Sequence, residues 1–154
     1  MQLICTRGFR IQGQKWRLSI RILIADDFED WRRQVHLLLQ ARPAWQVVAE
    51  ASDGSEAVQK AEELKPDLIL LDIGFPNLNG IEAARQIRQR SPNSKIIFLS
   101  QNSELDIVRA ALGAGALGYV RKIDARRELL PAVDAVFRGE QFISSSNGSK
   151  LTDT

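Results

Sequence analysis

Apolar residues in this chain fall into short uniform runs, separated by stretches in which they recur every three or four positions. Ile22-Leu23-Ile24-Ala25, Leu68-Ile69-Leu70-Leu71 and Ile96-Ile97-Phe98-Leu99 are the clearest runs. Runs of this kind between helical patterns predict strands of a parallel sheet covered on both faces. A first strand near 21–26 leads into a helix near 28–41, where Phe28, Trp31, Val35, Leu38 and Leu39 share helical spacing and Pro43 is the stop. A second strand spans 45–50, and Asp53-Gly54 turns the chain into a helix near 55–64. The third strand ends at Asp72, and 80–90 forms a helix with Ile81, Ala84 and Ile87 along one face. The fourth strand ends at Ser100. Ser103, with Asp106 close behind, reads as the cap of a fourth helix that Gly113 and Gly115 end. A fifth strand covers about 117–121, and Asp124 is the expected cap of a last helix through Arg138. Pro131 removes one backbone hydrogen bond inside that helix and is expected to bend it. Five strand–helix units without an internal repeat predict a doubly wound α/β sandwich.

The termini read differently. Residues 1–19 show neither periodicity and are expected to be a basic, flexible arm, with Arg7, Arg10, Lys15 and Arg17 and no acidic residue. Residues 20–139 form the expected domain, and the polar stretch 140–154, with Ser144-Ser145-Ser146-Asn147-Gly148-Ser149, reads as a tail or linker. The chain's 154 residues are enough for one compact domain with a real core. A net charge of +2 is too small to suggest nucleic-acid binding. Cys5 is the only cysteine, so no internal disulfide forms. No stretch approaches the roughly eighteen apolar residues of a membrane span, and the N-terminus lacks the apolar centre of a signal peptide. A cytoplasmic protein without membrane contact is expected.

The strand ends carry the chemistry. The runs lead into Asp26-Asp27, Asp72 and Ser100, and Lys122 follows the fifth strand. Open α/β sheets bind ligands beyond the carboxyl ends of their strands, so these groups converge on one crevice. An aspartate is a poor nucleophile toward a phosphoryl donor because both are negative, and a divalent cation cancels much of that repulsion. Asp26, Asp27 and Asp72 supply oxygen ligands suited to Mg²⁺, with Mn²⁺ as a substitute. Lys122 can pair with one phosphoryl oxygen and the Ser100 hydroxyl can donate to another. The set suits holding a cation and phosphorylating an aspartate.

These motifs, together with Leu71-Asp72-Ile73-Gly74-Phe75-Pro76, Gly80 and Gly118-Tyr119-Val120-Arg121-Lys122, resemble the receiver domain of bacterial two-component response regulators. The resemblance runs from about Arg21 to Gly139. It implies a flavodoxin-like sheet of five parallel strands in the order 2-1-3-4-5. It also implies that Asp72 accepts a phosphoryl group from the phosphohistidine of a histidine kinase or phosphotransfer protein. Asp27 would bind Mg²⁺ directly, Asp26 through water, and the Gly74 carbonyl would complete the ligands. Lys122 would clamp a phosphoryl oxygen, while Ser100 and Tyr119 would act as the switch that alters the surface of the fourth helix, fifth strand and last helix. A weak homodimer through that surface is the implied output. The last helix resembles that of receivers preceding a helix-turn-helix domain, yet no such segment follows in these residues, and no specific DNA binding by this chain alone is expected. Such a domain is not a conventional enzyme, although it assists its own phosphorylation and dephosphorylation.

Two positions depart from the family pattern. Gln101 stands where a small residue is usual and is expected to crowd the path to Asp72, and Phe75 replaces methionine or leucine. The competing reading is a degenerate receiver acting as a phosphorylation-independent interaction module. A flavin-type phosphate binder is disfavoured because Asp26-Asp27-Phe28-Glu29-Asp30 would repel a phosphate. An aspartyl-phosphate phosphatase would need a second acid where Gly74 stands. His36 is read as a structural or surface residue, Trp31 and Trp45 as core and edge packing, and Trp16 has no clear reading.

Overall fold

The computed structural model describes residues 19–75 and 77–144; the arm before Ser19, Pro76 and the serine-rich stretch after Ser144 lie outside them. The elements in chain order are β1 (Ile20–Ala25), α1 (Glu29–Leu39), β2 (Trp45–Ala51), α2 (Gly54–Leu64), β3 (Leu68–Leu71) and α3 (Gly80–Arg90). Then come β4 (Lys95–Ser100), α4 (Leu105–Gly113), β5 (Gly118–Arg121), a 3-10 turn (Lys122–Asp124), α5 (Ala125–Phe137) and β6 (Phe142–Ile143). One parallel sheet has the order β2-β1-β3-β4-β5-β6. This is the doubly wound, flavodoxin-like sandwich.

Alternation along the strands divides the core into two layers. Leu23, Ile69, Leu71, Ile96, Phe98 and Tyr119 face one side and pack on α2, α3 and α4 through Ala57, Ala61, Ala84, Ile87 and Val108. Ile22, Ile24, Leu70, Ile97, Leu99 and Val120 face the other and pack on α1 and α5 through Val35, Leu39, Leu129, Val133 and Val136. Both faces of the central strands are buried, which explains why those runs are apolar throughout.

The structure corrects several expectations. The sheet has a sixth strand, where the pattern gave five, and order continues past residue 139 to Ser144. Phe142-Ile143 is too short to show a period, and its pairing is completed from outside it: Phe142 and Ser144 donate backbone N–H to the carbonyls of Leu117 and Tyr119, and Ser144 Oγ accepts the Arg121 N–H at 2.8 Å. Phe28 is not on the core face of α1. It holds the N-cap position and is 58 % exposed, because Asp26 Oδ1 accepts its N–H at 2.8 Å and fixes it before the helix begins. Ser103 does not cap α4. That position falls to Glu104 without a side-chain bond, since the Asn102 side chain has already taken the Glu104 N–H at 2.8 Å. Asp124 occupies the N-cap of α5 but makes no capping bond, and its carboxylate accepts from Arg127 instead. The helix runs from Ala125 to Phe137 as one element with Pro131 inside it, and Ala132, Val133, Ala135 and Val136 beyond Pro131 stay buried. Asp53 does cap α2, accepting the Glu56 N–H at 2.8 Å.

Candidate phosphoacceptor and cation site

Neighbouring strands present the acidic groups side by side. Asp26 and Asp72 each follow the last residue of a central strand, and each is anchored by its backbone. The Asp26 N–H donates to Ala51 O and the Asp72 N–H to Ala25 O, both at 3.0 Å. Carboxylate oxygens of Asp26, Asp27 and Asp72 all lie within 4.8 Å of one another. Asp26 is 2 % exposed and Asp72 9 %, whereas Asp27 faces solvent. Asp26 is the most engaged: Oδ1 accepts the Phe28 N–H, Oδ2 accepts from Lys122 Nζ at 2.6 Å, and its backbone carbonyl accepts from Arg32 Nη1 at 2.7 Å.

Lys122 is the shared cation, 3.8 Å from Asp72 Oδ1. Burial pushes the Asp72 carboxyl above the usual range, Lys122 pulls it back, and the charges of Asp26 and Asp27 push it up again; the balance is upward. Three oxygen donors converging with too little positive charge fit a hard divalent cation. Gly74 is exposed beside them, and a Cβ there would meet only Asp72 Oδ2, at 3.8 Å, an ordinary contact. Gly80 is different. A Cβ there would lie 1.9 Å from the Asp72 carbonyl oxygen, so glycine lets α3 start against the residue that follows β3.

Ser100 and Tyr119 are linked through the loop that follows β4. Ser100 is buried, and its Oγ accepts the Asn102 N–H at 3.0 Å. Tyr119 is fully buried, and its hydroxyl donates to the Asn102 carbonyl at 2.8 Å. Burial pushes that hydroxyl above the ordinary tyrosine value. The phenol is therefore already turned inward, next to Phe98. Gln101 is exposed and lines a cleft that Lys122 also borders, and Phe75 is buried in the core.

Side chains of α1 that the apolar pattern does not single out brace the acidic pair from behind. Arg32 Nε donates to Glu50 Oε1 at 2.6 Å while Nη1 holds the Asp26 carbonyl. His36 Nε2 lies 2.6 Å from Glu50 Oε2. Burial works against ionisation of Glu50, but bonds from Arg32 and His36 prevail and hold it below the usual carboxylate range. Trp31 presents its ring to Lys122 Nζ at 5.2 Å. The readable signal was spacing: Arg32 and His36 stand four apart on a helix that opens beside the acidic pair.

Sheet order, layered core and acidic strand ends together describe a two-component signalling scaffold. Residues 22–134 match the model of the response regulator receiver domain, and the chain belongs to that family. It is 39 % identical over 132 residues to the transcriptional regulatory protein LiaR of Bacillus subtilis (strain 168), covering 86 % of this chain and 63 % of LiaR. To the transcriptional regulatory protein DegU of Brevibacillus brevis it is 39 % identical over 125 residues, covering 81 % of this chain and 53 % of DegU. The chain thus spans between about half and two-thirds of these relatives' lengths. Among solved structures, a LuxR-family two-component response regulator from Aurantimonas sp. SI85-9A1 superposes with a TM-score of 0.84 at 32 % identity, covering 88 % of this chain and 96 % of that one. No helix among the described residues is long and apolar enough to cross a membrane.

Proposed function

We propose that Asp72 accepts a phosphoryl group from the phosphohistidine of a histidine kinase or phosphotransfer protein. The new P–O bond forms on a carboxylate oxygen as the P–N bond breaks and the donor imidazole leaves. The observation that carries this reading is the meeting of Asp26, Asp27 and Asp72 within 4.8 Å, with Lys122 as their nearby ammonium. Asp26, Asp27, Asp72 and the Gly74 carbonyl would hold Mg²⁺ (or Mn²⁺), which supplies charge cancellation between the carboxylate and the phosphoryl oxygens. Lys122 then pairs with a phosphoryl oxygen, and Ser100 donates to another as its hydroxyl leaves the Asn102 N–H.

Output runs through altered protein contacts, in the form of a weak homodimer on the face of α4, β5 and α5. That face is narrower than the spacing of Leu129, Val133 and Val136 suggested, because all three are buried against the sheet. Exposed Arg126, Arg127 and Pro131 remain on it, and β6 covers the outer edge of β5. We assign no sequence-specific DNA binding to these residues.

Beryllofluoride or a small acyl phosphate with Mg²⁺ should modify the wild type, and Asp72→Asn should give no response. The product should be lost in hot alkali, as an acyl phosphate is. A product that survives alkali, or labelling that persists in Asp72→Asn, overturns the assignment. Light scattering on the same samples should show self-association rising with beryllofluoride. Unchanged binding partners in both states would favour the phosphorylation-independent reading.

A further inference from the structure

We propose that Trp31 is a positioning residue for Lys122, keeping its ammonium beside Asp72 when Asp26 is occupied by a cation. The inference rests on the phosphoacceptor reading above and adds to it a residue that reading does not use.

Lys122 extends a flexible stem from the end of β5, and in the resting arrangement its ammonium is shared by three groups. Asp26 Oδ2 is 2.6 Å away, Asp72 Oδ1 3.8 Å, and the Trp31 ring centroid 5.2 Å. The closest partner is also one of the three carboxylates suited to a cation. An ammonium and a divalent cation repel one another and compete for the same oxygens, so Lys122 loses Asp26 as a partner once the carboxylates hold a cation. It borders an open cleft of about 420 Å³ lined by Phe28, Trp31, Gln101, Arg121, Lys122 and Ile123. A lysine released into that cleft would be solvated away from Asp72.

The indole is the alternative station. Its face attracts an ammonium, and tryptophan does this better than the other aromatic residues. It carries no formal charge, so a cation on the carboxylates does not take it over. Trp31 is itself held firmly. It lies half-buried in the first turn of α1, packed against the α1–α5 core layer, and its backbone N–H donates to Phe28 O at 3.1 Å. The adjacent Arg32 ties the same turn to Asp26 and Glu50. The indole is therefore anchored to the loop that carries the acidic pair, and it stays in place when Lys122 changes partner.

The test uses the full chain carrying Trp31→Phe or Trp31→Leu, each alone and combined with Lys122→Ala. Calorimetry gives Mg²⁺ affinity and, at saturating Mg²⁺, beryllofluoride affinity. In metal-free protein, NMR reads the ring-current shift on the Lys122 ε-methylene. Trp31→Leu should weaken beryllofluoride binding by about five- to tenfold, the scale of a partly exposed cation–π contact, with Mg²⁺ affinity held within about twofold. Trp31→Phe should fall between the two, and Trp31→Leu should add nothing in the Lys122→Ala background. The ε-methylene shift should vanish in Trp31→Leu. A Trp31→Leu protein that binds beryllofluoride like the wild type, a loss that persists without Lys122, or Mg²⁺ affinity falling in step would each overturn the role of Trp31. A wild type that takes up no beryllofluoride would instead overturn the phosphoacceptor reading beneath it.

Discussion

The two ends of the sheet solve opposite problems. At the amino end of the strands Arg21 and Asp67 each have partners that suit their charge. The Arg21 guanidinium donates to the carbonyls of Leu64 and Lys65 at 2.8 and 3.1 Å, closing the last turn of α2, where the helix dipole favours a cation. Asp67 accepts the Arg21 N–H at 2.8 Å, and Ser94 Oγ donates to the Pro66 carbonyl at 2.5 Å. At the carboxyl end, three carboxylates crowd within 4.8 Å and the nearby ammonium sits closest to Asp26. The first arrangement stabilises the fold. The second holds charge that folding alone would not select, which is what a site poised for a cation and a phosphoryl group requires.

Substitutions should separate the ends. The largest effect is expected at Asp27, whose exposed carboxylate completes the acidic cluster. Asp27→Ala should abolish measurable Mg²⁺ binding in calorimetry while leaving the melting temperature equal or higher, because it relieves repulsion. An unchanged titration would remove Asp27 from the site. Arg21→Ala should behave in the opposite way. Losing one partly buried and one exposed charge-assisted bond to backbone carbonyls should cost about 1–2 kcal/mol in urea unfolding, with Mg²⁺ affinity unaltered. Weakened Mg²⁺ binding in that variant would mean the two ends are coupled and the comparison fails.

Legibility in the sequence follows the same division between local and distant causes. The convergence of Asp26, Asp27, Asp72 and Lys122 could be read because each lies at or just beyond the end of a strand-forming run, and a parallel sheet brings such ends together. The helix of residues 80–90 appears where periodicity put it, since Ala83, Ala84 and Ile87 form one buried face. β6 could not be read: two apolar residues have no period, and their strand exists through bonds to Leu117 and Tyr119. Phe28 misled because its spacing is helical while its backbone is claimed by Asp26. Trp31 read as core packing, and only the sheet order reveals that the residue after β5 comes to lie over its ring. The contacts of Arg32 and His36 with Glu50 were likewise hidden, since they join α1 to β2 through side chains alone.

The smallest predicted effect sharpens the comparison most, because it tests whether the crowded end is under electrostatic stress. Asp72 has its carboxyl pushed above the usual range by burial first, against the pull of Lys122. A folded-state value raised above the unfolded one means that the native protein binds the proton more readily. Stability should then fall as pH rises from the ordinary carboxylate value, about 4, toward neutrality. Asp72→Asn removes the ionisable group and keeps its shape. In metal-free buffer at pH 7 the variant should melt above the wild type, because it removes a charge that burial and the neighbouring carboxylates disfavour. The gap should close as the pH falls below about 4, where Asp72 becomes protonated in the unfolded as well as the folded state. Saturating Mg²⁺ should narrow it at pH 7 from the other side, because binding stabilises only the protein that retains the full carboxylate set. A gap constant across this pH range would show that Asp72 is not strained by its neighbours, and the two ends of the sheet would then differ in composition but not in energy.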